Sequence, residues 1–356
     1  MKEFIPNKLP IAKDIETKEI LKATTLAHRS LAELKGIANS LPNQKIVINS
    51  LVLQEAKDSS EIENIITTYD EVYRSDISSD FISQDIKEVQ NYKDALYFGF
   101  DIIQTKKFLT VNHIKEIQET LEQNDAGFRK QSGTVLKNPV TGEIKLIPPQ
   151  HPQDIIDLMS NLADYINDAS LEDFDSLVKM AIIHYQFEAT HPFYDGNGRT
   201  GRIINILYLV LEGLLDMPIL YLSRYIIRNK SNYYKLLSDV SFNDGLNKWI
   251  LFMLKGIEEI AKETIQIIKD IETLMEKTKN TIQENKPKIY SKDLLEALFY
   301  HPYTKRAFIE EHLNVSRPTA TSYLKELEKM GILTAEKKGR DIYYVHNELF
   351  DLFRNV

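Results

Sequence analysis

The 356-residue chain contains no cysteine. That excludes a disulfide framework, a thiolate nucleophile and a zinc ribbon, and it fits a reducing compartment. Positive charge is not in excess: 44 Lys and Arg face 52 Asp and Glu, a formal net charge of -8. Such a balance argues against a chain-wide nucleic-acid coat and leaves room only for a local patch. The opening MKEFIPNKLP lacks the apolar core of a secretory leader, so the cytoplasm is the expected compartment. A long hydrophobic run is missing as well. The most apolar window, Ile203 to Leu222, is broken by Asn205, Glu212, Asp216 and Pro218; a carboxylate near a bilayer centre costs roughly 2.5 to 3.5 kcal/mol. This window reads as a buried helix and gives no membrane span. With 43% apolar and 27% charged residues, the chain has the composition of a folded globular protein. At about 150 residues per domain, two or three domains are expected.

Most of the first 285 residues repeat apolar positions at three and four spacing, so the fold class is mainly α. Ser132 to Pro149 breaks the pattern: two short β-prone pieces flank a turn signal at Pro139 to Gly142, which predicts a hairpin on a helical body. The expected organisation is a helical region over 1–105, a core over 106–257 carrying the hairpin at 132–149, a connector helix over 258–285 and a different module over 286–356. In that last module, Lys292 to Tyr300, Thr304 to His312 and Arg317 to Met330 read as helices, with Ser316 as N-cap and Pro318 in the first turn of the third. Ile332 to Val345 alternates like two strands, giving the order of a winged helix-turn-helix. Residues 286–356 hold 12 Lys and Arg against 10 Asp and Glu. The module is therefore +2 while the remainder is -10.

Glycine is sparse, yet Gly196, Gly198 and Gly201 place three of the 13 within six positions, and such clustering asks for a backbone reason. Gly196-Asn-Gly198-Arg-Thr-Gly201 matches a dinucleotide fingerprint, but the fingerprint needs a strand before it and an acid about 20 residues on. Leu177 to Phe187 is helical in period, and Tyr221 stands where the acid belongs, so that reading fails. What remains is a glycine-rich turn opening a helix from about Gly198 to Leu211. Amides at a helix N-terminus suit a phosphate. Arg199 and Arg202 add charge at three spacing, able to face the same anion. Asp195 and Asn197 offer oxygen to Mg²⁺, and His191 supplies a base with a pKa near neutrality. Together these residue types describe phosphate-transfer chemistry.

The stretch His191-Pro-Phe-Tyr-Asp195-Gly-Asn197-Gly-Arg199-Thr-Gly-Arg202 resembles the signature of the Fic-domain family, and every defining position is filled. The resemblance implies a helical enzyme that moves AMP from ATP to the hydroxyl of a Tyr, Thr or Ser side chain, on a target protein or on itself, with Mg²⁺. It implies His191 as general base and Asp195 as the metal ligand. Asn197 with the amides of Gly196 and Gly198 would hold the α and β phosphates; Thr200 and Gly201 belong to the same loop. Arg199 would bind the β phosphate and Arg202 the γ phosphate. Ser132 to Pro149 resembles the family's flap, and Tyr233-Tyr234 its tyrosine pair beside the adenine. Upstream, Ser59-Ser-Glu-Ile-Glu63-Asn64 resembles an inhibitory motif, which implies that Glu63 competes with the γ phosphate for Arg202 through two parallel hydrogen bonds.

Other readings stand beside this one. His184, on the same apolar helix as His191, reads as core packing. Arg317, Thr319, Thr321 and Lys325 in the last module can meet DNA, although winged helices also bind proteins. A DNA-binding regulator with a nucleotide-sensing core is one alternative; an enzyme that also removes AMP is another. The exposed face of the connector can support a homodimer.

Overall fold

The computed structural model describes all residues except 1, 12–14, 16, 42, 78–82, 138–141, 143, 339–340 and 355–356. Its first half is five helices, α1 (Lys18–Ser40), α2 (Lys45–Ile62), α3 (Tyr69–Ile77), α4 (Gln84–Lys106) and α5 (Val111–Glu122). Strands β1 (Leu136–Lys137) and β2 (Ile144–Leu146) pair antiparallel, as the predicted hairpin requires. Of the predicted turn, Pro139, Val140 and Thr141 lie outside the described residues. Next come α6 (Pro152–Asn167), α7 (Ser176–Thr190), α8 (Asn197–Leu211), α9 (Ser223–Arg228) and α10 (Lys230–Phe242). Helices α7 and α8 are buried on nearly every face, as befits helices apolar all round. The apolar window at Ile203 lies in this buried α8. Among the described residues no helix is long and apolar enough to cross a membrane.

The expected connector is part of a longer element, because α11 runs unbroken over Leu246–Asn285. The boundary drawn at 257/258 therefore falls inside one helix; Gly256, just before it, does not break the helix and instead lets it pack closely on Tyr225. Its apolar stripe, Ile257, Ile260, Ile268 and Ile271 included, is buried against α1. The face left outside carries Lys262, Lys269, Glu272 and Glu276.

The C-terminal module contains α12 (Lys292–Tyr300), β3 (Tyr303–Thr304), α13 (Arg306–Leu313), α14 (Arg317–Lys329), β4 (Thr334–Lys338), β5 (Asp341–Val345) and α15 (Asn347–Arg354). The three strands form one sheet in the order β3-β5-β4. Ser316 caps α14 by accepting from Thr319 N–H, with Pro318 in the first turn. The added elements β3 and α15 bind the module to the first half. Phe350 and Phe353 pack on Tyr73 of α3 with ring centroids 6.0 Å away, and Tyr303 Oη donates to Asp70.

A candidate phosphate-transfer site

The site lies where α7 ends and α8 begins. His191 follows α7 in the left-handed region, φ 48°, and its N–H donates to Phe187 O, which stops the helix and turns the chain. The turn is closed by Asn197, which accepts from Phe193 N–H and donates to Phe193 O, both at 2.9 Å. Its side chain is thereby spent on the loop, so what Asn197 can offer a phosphate is its backbone. Gly196 stands at φ 76°, a conformation glycine takes without the steric cost a side chain brings. Asp195 receives Gly196 N–H at 2.7 Å and stays exposed. Thr200 and Gly201 are buried in the first turn of α8. Adding a Cβ to Gly201 would press on Glu188 and Phe187 of α7, so this glycine lets the two helices approach.

Sequence reading missed Arg129, which organises the loop from outside. This buried side chain donates through Nε to His191 O at 2.8 Å and through Nη2 to Pro149 O, tying the catalytic turn to the base of the flap. Burial, with Arg129 adding its charge, pushes the His191 imidazole down to about 4. It is neutral at physiological pH, as a base must be. His184 is fully buried, stacked on Trp249 and bonded to Tyr233 Oη at 2.8 Å, the packing role expected of it. Tyr233 is thereby a core residue, whereas Tyr234 stands beside it 43% exposed. Burial pushes Glu188, one turn before His191, up to about 7, with Arg202 opposing.

The two arginines expected to share one anion face different partners. Arg202 reaches α2: Nε donates to Ser59 Oγ at 2.8 Å, and Nη2 to Ser59 O at 2.9 Å and to Glu63 Oε1 at 2.8 Å. The predicted pair of parallel bonds to Glu63 is thus one bond, because Ser59 takes the second edge of the guanidinium. Burial opposes the Arg202 charge, but Glu63 together with Tyr233, Tyr92 and Glu188 outweighs it, holding the guanidinium above its ordinary pKa. The Glu63 carboxylate also lies against Gly198, where a Cβ would collide with it. Asn64 ends α2 at φ 66°, and Ile65 N–H reaches back to Ser60 O at 3.1 Å. That is a Schellman stop, which suits Asn and leaves Glu63 aimed at α8. Arg199 turns the other way, to Glu122 Oε1 at 2.8 Å and Glu88 Oε2 at 3.0 Å.

In the C-terminal module, Arg317 and Lys325 are exposed, while Thr319 and Thr321 are half-buried and bonded to Ser316 and Arg317 O. For a metal, the site offers one exposed carboxylate, Asp195, and no cluster of three acidic or imidazole groups among the described residues. One carboxylate completed by water and phosphate oxygens is the shell Mg²⁺ commonly takes, so the donor set fits.

Residues 108–209, which hold this turn, match the Fic/DOC family; 21–101 match the Fic/DOC family N-terminal region, and 274–349 the C-terminal domain of SoFic-like protein adenylyltransferase. The chain belongs to the Fic/DOC family. This Fic chain is 28% identical to the protein adenylyltransferase fic-1 of Caenorhabditis elegans over 121 residues, 34% of this chain and 22% of that protein. It is 28% identical to a probable protein adenylyltransferase of Aquifex aeolicus over 180 residues, 50% of this chain and 54% of the other. The chain thus spans about a fifth to about half of the length of these relatives. Its fold is that of a Fic family protein from Desulfovibrio desulfuricans G20, with a TM-score of 0.61 at 18% identity, over 95% of this chain and 98% of that one. A fragment of Fic-1 from C. elegans superposes with a TM-score of 0.55 at 20% identity, over 70% and 74%.

Proposed function

We propose that this Fic chain is a protein adenylyltransferase, moving AMP from ATP to the hydroxyl of a Tyr, Thr or Ser side chain of a target protein and of itself, and that Glu63 holds it in check. The observation that carries the reading is the pairing of His191 with the glycine-rich start of α8 across one turn. His191, neutral through burial, takes the proton of the incoming hydroxyl as oxygen attacks the α phosphorus and pyrophosphate leaves. The amides of Gly196, Asn197 and Gly198 and the cations Arg199 and Arg202 face the phosphates, so catalysis is mostly positioning and charge stabilisation. Asp195 would hold Mg²⁺, which neutralises phosphate charge when bound. Glu63 occupies Arg202 and leans on Gly198, which supports its role as a stand-in for the γ phosphate. Tyr234 is the exposed member of the tyrosine pair on the adenine side.

The test is incubation with ATP labelled on the α phosphate, Mg²⁺ and cell extract, followed by mass identification of the labelled peptides. Label that stays nucleotide-bound, or that enters protein equally with His191→Ala, sinks the reading. For the C-terminal module, exposed Arg317 and Lys325 on α14 favour duplex DNA as a second partner. Binding should then weaken steeply with salt as counterions are released; no binding to any duplex at low salt would favour a protein partner.

A further inference from the structure

Glu122 is out of place for its own helix. It is the last residue of α5, where the carbonyl end of the helix disfavours negative charge. Its carboxylate instead points at the opposite kind of helix end, the amide-rich start of α8. There it accepts from Arg199 Nη2 at 2.8 Å and lies against Gly196 so closely that a Cβ would collide with it. The side chain of Arg199 is 4% exposed and that of Glu122 12%. Glu88, from α4, takes the other guanidinium edge at 3.0 Å but is further out, at 26%. The two glycines of the turn thus each carry a glutamate carboxylate, and each glutamate holds one arginine: Glu63 with Gly198 and Arg202, Glu122 with Gly196 and Arg199.

We propose that Glu122 is a specificity-determining residue of the nucleotide site, a carboxylate standing where the β phosphate binds and setting how strongly the site prefers polyphosphates over a monophosphate. The inference rests on the phosphate-transfer reading above and concerns a different arginine and a different helix from the Glu63 contact. A β phosphate entering beside Gly196 must take Arg199 from Glu122, and the displaced carboxylate must move away from the incoming charge. Glu88 keeps Arg199 oriented while this happens. A nucleoside monophosphate needs only the α position and leaves Glu122 where it is. Release of Glu63 therefore frees the γ subsite while the β subsite stays guarded. Burial already raises the carboxyl of Glu122 against the pull of Arg199, so its negative charge is held at a cost. The rival idea is that Glu122 merely orients Arg199, in which case its loss loosens the guanidinium and weakens polyphosphate binding.

Calorimetric titration of the full chain with ADP and with AMP, at one Mg²⁺ concentration, separates the two. Glu122→Gln keeps the shape and removes the charge; Glu122→Ala removes the contact altogether, and thermal unfolding checks that each variant is folded. ADP should bind about tenfold tighter to Glu122→Gln, the size expected for removing one like charge in a partly buried site. AMP affinity should be unchanged. ADP binding that is weaker or equal in the folded variants, or AMP affinity that rises in step, overturns the proposal. Label transfer by Glu63→Gly is measured in parallel. If that variant labels no more than the wild type while Glu122→Gln gains ADP affinity alone, the inhibitory reading of Glu63 falls and this one stands. If labelling rises but the ADP to AMP preference does not move, this proposal falls by itself.

Discussion

Replacing Glu63 by glycine tests the inhibitory contact through two quantities at once. The backbone tolerates the change, because Glu63 caps α2 at φ -88°, ψ 13°, and the left-handed turn that follows belongs to Asn64. Removing one partner of a buried ion pair costs about 3 to 5 kcal/mol. Here the Arg202 side chain is 2% exposed but that of Glu63 34%, and the two bonds from Ser59 remain. Solvent screening and those bonds reduce the expected loss to about 1 to 2 kcal/mol, a fall of a few degrees in Tm. An ATP analogue with a non-cleavable α–β bridge should then stabilise the variant more than the wild type, since its γ phosphate meets an arginine without a competitor; a ligand at a hundred times its Kd contributes about 2.7 kcal/mol. In the rate, misplacement of the reacting phosphorus by about 1 Å costs about a hundredfold. Transfer by Glu63→Gly should rise by about that factor, including self-modification. Arg202→Ala should abolish the gain in the double variant. The assay is incorporation from α-labelled ATP at saturating ATP and Mg²⁺, beside thermal unfolding with and without the non-cleavable ATP analogue. Equal incorporation by wild type and variant would refute the inhibitory role, and equal stabilisation by the non-cleavable ATP analogue would refute the competition for Arg202.

The proposed base, the proposed metal ligand and the buried histidines give three more tests. His191→Ala should lower transfer by about a hundredfold to ten-thousandfold while ADP binding, read by calorimetry, stays near wild type; wild-type labelling by this variant would remove His191 from the chemistry. Asp195→Ala should raise the Mg²⁺ concentration needed for half-maximal transfer, and metal-independent transfer by the wild type would contradict the assignment. Stability should fall on acidification from pH 6.5 to 4.5. Burial pushes His184 down to about 3 and His301 and His346 to about 4, so over this window the unfolded chain binds protons that the folded chain refuses. Glu55 works the other way, since burial raises it to about 7 and its folded form takes up a proton first; His191 and Glu188, shifted in opposite senses, offset each other. A net two groups over two pH units, at about 1.4 kcal/mol per group per unit, set an upper limit of about 5 kcal/mol, because His28, Asp94, Glu122 and Glu172, all raised, work with Glu55. Guanidinium unfolding at the two pH values reads this directly, and stability that holds or rises at pH 4.5 would mean these histidines are solvated.

The helical body was legible because its helices bury one stripe, and a stripe shows as apolar spacing within a single segment. Helix α12 was read to the residue and α14 to within one, since Ser316 and Pro318 mark a helix start by local chemistry alone. The start of the connector helix was misplaced for the complementary reason: Gly256 looks like a breaker in the segment, and only its close packing on Tyr225 shows why the helix runs through it. Strand β3 and helix α15 escaped because two and eight residues carry too little periodicity, and their place is fixed by Tyr73 and Asp70, more than 200 positions away.

The candidate site divides along the same line. Between His191 and Arg202, function is written in consecutive residues, because a turn that must stop one helix, bind an anion and open the next has little freedom in its glycines and its asparagine. The partners that tune it arrive from elsewhere. Arg129 reaches His191 O across 62 positions, and Glu63 reaches Arg202 across 139. Glu63 was readable only because Ser59 and Asn64 flank it with a helix stop. Arg129 had no such frame. Glu122 and Glu188 did leave a local mark, one an acid at the wrong end of its helix, the other the lone carboxylate of a buried helix, one turn before His191. Each breaks a rule of helix electrostatics or burial, and the opposing charge sits on another element: Arg199 binds Glu122, while Arg202 acts on Glu188 at a distance without offsetting its burial. Rule-breaking acids beside a glycine-rich turn are therefore a signal in themselves, and here they point to the same pair of arginines that the motif supplies.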